Sequence, residues 1–511
     1  MNKKLLLILI NVAVTLYAVN ICTAAQLRVA VPDMPVYKGN PFTGLNSPTI
    51  YTWSALFDSL TRVNEFGKIE PSLALKWQNI EPRVWRFSLR PNIVFHNNEV
   101  FDADAVITAI QWLKSARGET TTTGKDISRL IEKTYAIDSL TVDFITYHPD
   151  ATFPANMSEV FFPAPRAWKK LGPEKFSLKP HGTGPFKLIS WTENGAYLEA
   201  AKTSWRYTPK IKKLFIFEVP ERFGRLQALL AGQADIAIGL SYDHITAVKA
   251  AGHHIVTKPA PLVSAIQMVS VKPDTPFSDL RVRIAANIAI DRKTIAKTLL
   301  GNLAQPANQP AAPHVFGYNP NLKEYPYDPE RARHLLKEAG YPTGFDGRME
   351  VVTEATIAAA LETQIQVAAD LSRVGIRLDV IPIPFSTWLR KWYGTPNSKA
   401  VDFPDLFSLN IVLAPQLDVG RIFRTHSCEK QINGYPGFYC DPSIMGAINK
   451  SRREFDPLKR QKILHDIMKN YHENPSAIYL FSLMDVTGVA KNISNVININ
   501  RHYAYENVTI K

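Results

Sequence analysis

The chain has only 3 cysteines in 511 residues. That excludes a disulfide-stapled scaffold and any four-cysteine zinc site. No stretch beyond residue 25 is long and apolar enough to span a bilayer, which asks for about 20 apolar residues. Internal repeats and low-complexity segments are missing, so solenoids and disordered linkers are excluded. Catalytic signatures are missing too. There is no Gly-x-Ser-x-Gly elbow and no His-Glu-x-x-His helix,. The turn Gly182-Thr183-Gly184-Pro185 could cradle a phosphate, but no P-loop lysine follows and the next segment reads as a strand,. His253 and His254 are neighbours, so their side chains point apart on a helix or strand,. His96, His314, His426 and His472 stand singly. Asp102 and Asp104 are explained by the start of a helix, where acids favour the dipole,. No catalytic residue, cofactor or metal site is expected.

What is present begins with a leader. Lys3 and Lys4 precede the apolar run Leu5 to Ile10, continued by Val12 to Val14 and Leu16 to Val19. Thr23-Ala24-Ala25 supplies small residues at its exit. This is the pattern of a secretory signal peptide over residues 1–25, with Gln26 as the mature start,. Asn11 and Asn20 interrupt the run, which argues against an uncleaved anchor. Ile21 before Cys22 argues against lipid attachment, which wants a small residue there.

The remaining length exceeds one compact core, so two or three domains are expected. The formal net charge is +13, and loss of Lys3 and Lys4 leaves +11. The charges are scattered, with only short doublets such as Lys212-Lys213 and Arg452-Arg453. No nucleic-acid motif accompanies them, so a solvated basic surface is the reading and no nucleic-acid partner is expected. Cys428 and Cys440 form an even pair in an exported chain, which reads as a disulfide,. The enclosed segment is turn-rich, and closing a loop of that size contributes about 3 kcal/mol.

Periodicity gives an α/β order. Leu27 to Val31 alternates as a strand; the stretch from Asp33 to Pro48 is loop; a helix carries Trp53, Leu56 and Leu60,. Trp85 to Leu89 and Val142 to Ile145 read as strands, with a helix from Phe101 through Leu113 between them and a polar break at Thr120 to Gly124. Leu214 to Glu218, a helix from Phe223 to Ala231 and a return at Asp235 to Ala237 make a strand–helix–strand layer,. Further helices are expected at Arg281 to Ile290, from Asp291 through Leu300, from Asp328 to Ala339, at Ile357 to Val374 and at Leu458 to Tyr471. Gly340 fits as a C-cap,.

Two segments about ninety residues apart carry a family resemblance. The first holds Leu73-Ala74-Leu75-Lys76-Trp77, Trp85-Arg86-Phe87-Ser88-Leu89-Arg90, Val94-Phe95-His96-Asn97-Asn98 and Phe101-Asp102-Ala103-Asp104-Ala105-Val106. The second is His181-Gly182-Thr183-Gly184-Pro185-Phe186-Lys187-Leu188. Behind a leader, these resemble the extracellular solute-binding proteins of family 5, the peptide and nickel receptors of bacterial ABC importers. The resemblance implies an α/β fold of the periplasmic binding protein type, with two lobes, an inserted domain and a hinged ligand cleft. It implies domain I over residues 26–55, 182–280 and 484–511, an inserted domain II over 56–181, and domain III over 281–483.

The resemblance also implies where a ligand sits. The loop and helix after the first strand face the cleft, which makes Asn40, Tyr51 and Trp53 candidates. Trp388 and Trp392 share a helix face, either toward ligand or in the core,. Peptide-binding members use an aspartate soon after this helix to pair with the peptide's amino terminus. In one register Asp402 occupies that position. In the other, which runs without a gap to Phe423 and is preferred, Leu413 or Ala414 stands there. Asn410, Asp418 and Arg421 are then the polar candidates. The partners implied are a small molecule or short peptide and an ABC permease at the inner membrane, the protein itself being a periplasmic monomer. Opine, sugar-phosphate, haem or nickel cargo stays open. An exported hydrolase and a transporter-free periplasmic chaperone are the rival readings.

Overall fold

The protein is described here by a computed structural model over residues 26–43, 47–272, 274–352, 360–384, 387, 404–429 and 438–511. The leader, Asp402, Trp388 and Trp392 lie outside the described residues. Among the described residues, no helix is long and apolar enough to cross a membrane.

Local signals set most elements. Asp102 caps the helix Ala103–Leu113, its carboxylate accepting from the amides of Asp104 and Ala105,. Asp291, Asp328 and Asp456 cap the helices Arg292–Leu299, Pro329–Glu338 and Pro457–Glu473 in the same way. Gly340, at φ 93°, follows Pro329–Glu338 in the left-handed region that a C-cap uses,. The polar break read at Thr120 to Gly124 is instead the start of a helix, Thr122–Leu130, because Thr121 accepts from the Gly124 amide and caps it.

A four-stranded antiparallel sheet stands apart, ordered Ala74–Glu81, Val84–Leu89, Thr141–Thr146, Ile131–Asp138. The larger sheet has eleven strands among the described residues. At one side Gln26–Val31 runs parallel to both Lys213–Glu218 and Ile236–Ile238. At the other, Phe345–Val352 runs parallel to both Ile376–Ile383 and Leu406–Val412. Two long antiparallel strands, His254–Met268 and Ala477–Val489, join the two sides. The boundary expected at residues 483 and 484 falls inside the second of these strands.

The long strands slip register between Pro259 and Val263. Pro259 and Pro261 have no amide hydrogen to donate, so the ladder is interrupted there,. The result is a weakly bonded waist in the ladder between the two sides of the sheet. The larger hydrophobic cluster runs under both sides of the sheet, from Leu27 and Ile216 to Met349 and Ile376; a second lies around Leu417, Phe423, Leu464 and Tyr471.

The two segments that carry the family resemblance meet in space. Gly182 donates its amide to His96 Nδ1 at 3.2 Å, so His96 Nε2 holds the proton and donates to the Gly184 carbonyl at 2.9 Å. A Cβ on Gly182 would lie 2.0 Å from the Leu56 carbonyl, so only glycine lets the chain pass this helix end,. Thr183 between the two glycines donates to Asp58 Oδ2 at 2.8 Å. Cys428 and Cys440 are joined as a disulfide.

Burial holds His96 neutral, its pKa lowered to about 4. His426 is lowered to about 4 by burial, and His502 to about 4 by burial with Arg206 adding. The unfolded chain protonates these rings near their ordinary value of 6.5, the folded chain only near 4. Stability is therefore full above that ordinary value and is lost as the pH falls toward 4. Melting curves between pH 7.5 and pH 4.5 should show a steady fall in Tm; a flat profile would contradict this burial.

Candidate ligand cleft

The strand registers locate a crevice. The carboxyl end of Ile236–Ile238 lies opposite Thr487, which lies opposite Val256. From the other side, the carboxyl end of Leu406–Val412 lies opposite Leu262. The two parallel sets thus run toward each other and stop on either side of the waist. The stretch 256–262 spans roughly 20 Å at about 3.3 Å per residue. Open α/β sheets bind ligands outside the carboxyl ends of their strands. Here two such edges face one another.

The first lobe's edge carries two arginines, with Asp33, Glu221 and Asp243 close enough to act on them. Arg225 is buried and bonds the edge loops together, donating to the carbonyls of Val219 and Pro220 at 2.7 Å and of Gly239 at 2.8 Å. Its Nε has no hydrogen-bond partner among the described residues. Burial pushes this guanidinium down to about 10, with Arg222 adding to the effect. Burial also lowers Arg222, which opens the helix Arg222–Leu230; Glu362 of the other lobe pulls against that shift. Tyr242 donates from its hydroxyl to the Met484 carbonyl at 3.1 Å, and burial raises it to about 12.

The opposite edge is the turn that follows Leu406–Val412. Leu413 is fully buried and donates its amide to the Pro261 carbonyl at 2.9 Å, tying the turn to the waist. Asp418 accepts from Arg460 Nη2 at 2.8 Å and from the Gly420 amide at 2.7 Å. Arg460 also donates to the Ser451 carbonyl at 3.0 Å, and both side chains of the pair are nearly buried.

The structure gives the sequence candidates the following places. Asn40 is buried, its side-chain oxygen accepting the Phe42 amide at 3.1 Å. Tyr51 is buried, with its ring edge-on to Tyr503 and its carbonyl accepting from the Tyr505 hydroxyl at 2.9 Å. Trp53 is 1% exposed; its indole donates to the Lys38 carbonyl at 3.0 Å and its ring packs on Phe57 and Phe161. Asn410 is half-buried opposite Ser264, two residues short of the far edge. Asp418 holds Arg460. Arg421 donates to Glu159 Oε1 at 2.6 Å and to Gln416 Oε1 at 2.8 Å. Asn40, Tyr51 and Trp53 thus belong to the first lobe, and Asn410, Asp418 and Arg421 to the second.

Sequence reading passed over Arg222, Arg225 and Tyr242. A signal was available: two arginines in the opening turns of a helix oppose its dipole, which is a reason to ask what else they serve.

The profile of the bacterial extracellular solute-binding proteins, family 5 Middle, matches residues 68–402. The chain belongs to this family. The di/tripeptide-binding protein 2 of Pseudomonas aeruginosa is 24% identical over 460 residues, 83% of either chain. The heme-binding protein A of Haemophilus influenzae is 26% identical over 360 residues, 65% of either chain. Among solved structures, the periplasmic binding protein DppA of Helicobacter pylori in complex with the peptide STSA superimposes with a TM-score of 0.79 at 20% identity, covering 95% of this chain and 98% of that one. The two-lobed α/β fold expected from the sequence is therefore the fold of this family 5 solute-binding protein.

In this solute-binding protein the Asp418–Arg460 pair is part of the framework of the second lobe. Breaking a buried pair by removing one partner costs about 3–5 kcal/mol. Asp418→Ala should lower stability by about that amount in urea unfolding, and adding Arg460→Met should recover part of the loss. Unchanged stability in Asp418→Ala would contradict this assignment.

Proposed function

We propose that this protein captures a short peptide or peptide-like solute between its lobes in the periplasm. It then presents the closed form to an ABC permease at the inner membrane. The facing carboxyl edges carry this reading: a separation of roughly 20 Å along the interrupted ladder suits a ligand of a few residues,. Arg222, with the helix N-terminus behind it, suits a carboxylate at one end of the solute,. Asn410 is the polar contact proposed on the other lobe. The names of the di/tripeptide-binding relative and of the peptide-bound DppA support a peptide cargo. The site is asked for no chemistry: the ligand favours the closed state by its differential affinity. We read the protein as a non-enzymatic monomer, exported with cleavage before Gln26.

Native mass spectrometry of protein purified from the periplasm without refolding tests this. The expected result is a released molecule of peptide mass that is stable on incubation with the protein. Release of a haem or a metal chelate, or hydrolysis of added peptides, would overturn the reading.

A further inference from the structure

A polar cluster joins the lobes through the turn that follows Leu406–Val412. Glu159 ends the turn Met157–Glu159 of the first lobe. That turn is fixed to its own lobe by its neighbours. The Pro154 carbonyl accepts from Thr61 Oγ1 at 2.6 Å, Phe153 packs on Phe87 and Phe144, and Phe161 packs on Trp53 and Phe57. Arg421 lies in the turn Val419–Arg424 of the second lobe, anchored there by Val419, Ile422 and Phe423 in the second core.

The two turns are joined by directed contacts. Arg421 Nη1 bonds Glu159 Oε1 at 2.6 Å and Gln416 Oε1 at 2.8 Å. Gln416 Nε2 donates to Glu159 and, at 3.4 Å, to Asn156 Oδ1. Arg424 pairs with Asp126 at 2.9 Å nearby. The Glu159 side chain is 12% exposed and that of Arg421 is 24% exposed. Burial pushes the Glu159 carboxyl up, and Arg421 and Arg424 pull against that push. Burial outweighs them, so the carboxyl stands above its ordinary value even with Arg421 bonded to it.

Each side of this cluster is packed within its own lobe, and motion of one lobe against the other parts them. Rotation at the interrupted ladder near Pro259 does that. Parting returns both charges to water, so the pair weights the closed state without locking it. We infer that Glu159, Gln416 and Arg421 form an interlobe latch that keeps the ligand-free protein closed and so sets its affinity without touching the solute. These are positioning residues. They act on the population of the binding-competent state, and apparent affinity scales with that population.

Small-angle X-ray scattering of extensively dialysed protein tests the latch, with the radius of gyration as the readout. The wild type should match the closed structure. Glu159→Gln and Arg421→Gln should each raise the radius, and the double variant should raise it no further than either single one. A residue that only stabilises its own lobe would lower Tm and leave the radius unchanged. Arg424→Gln, 41% exposed at the rim of the same cluster, gives a second reading that does not depend on a buried substitution; it should raise the radius by a smaller amount, with an unchanged circular dichroism spectrum. Variants that are folded and keep the wild-type radius would overturn the latch, as would a wild type that is already open. Neither outcome depends on which solute is bound, so the cargo assignment stands or falls separately.

Discussion

Two strands bear the connection between the bodies of this molecule, and the rest of its behaviour depends on how they are paired. His254–Met268 and Ala477–Val489 run the length of the sheet, yet their ladder is interrupted at the prolines in the middle. A continuous ladder would make one stiff sheet. An interrupted one concentrates bending in a few residues, because backbone hydrogen bonds resist bending and prolines cannot make them. The same strands fix direction. Each parallel set is laid on them so that its carboxyl ends point at the waist. The cleft and the hinge are therefore one construction, and a ligand in the cleft necessarily lies where the lobes swing.

Charge is handled differently at the waist and at its rim. Arg225 is buried against carbonyls and has no carboxylate partner among the described residues. Asp33 and Glu221 act on its charge from nearby. On the second lobe, Asp418 is consumed by Arg460, and Glu159 of the first lobe is consumed by Arg421 across the gap. Burying paired charges rarely adds much stability, but it is selective about geometry. At a moving interface that selectivity distinguishes closed from open.

Much of this was legible in the sequence. The aspartates before helices, the alternation of Val84–Leu89 and the Gly340 C-cap follow local rules, and local rules survive in the fold. The two quoted segments were read as related only by family, while the structure shows that they touch, through His96 and Gly182. The long strand His254–Met268 was not legible, because Pro259 and Pro261 inside an apolar run argue against a strand,. Those prolines are what make it a hinge. Trp53 and Tyr51 illustrate the opposite difficulty. An aromatic near a cleft and an aromatic in a core have the same spacing, and only burial tells them apart. Arg421 was read as polar and near the ligand; the partner that occupies it, Glu159, is more than two hundred and fifty residues away in sequence, beyond any local pattern.

The proposed place of the solute is between two facing strand edges. A crystal structure of the protein purified together with its natural solute tests that most directly. Electron density between the end of Leu406–Val412 and the ends of Lys213–Glu218 and Ile236–Ile238, touching both lobes, is the result predicted. Density confined to one lobe or to the outer surface would contradict it.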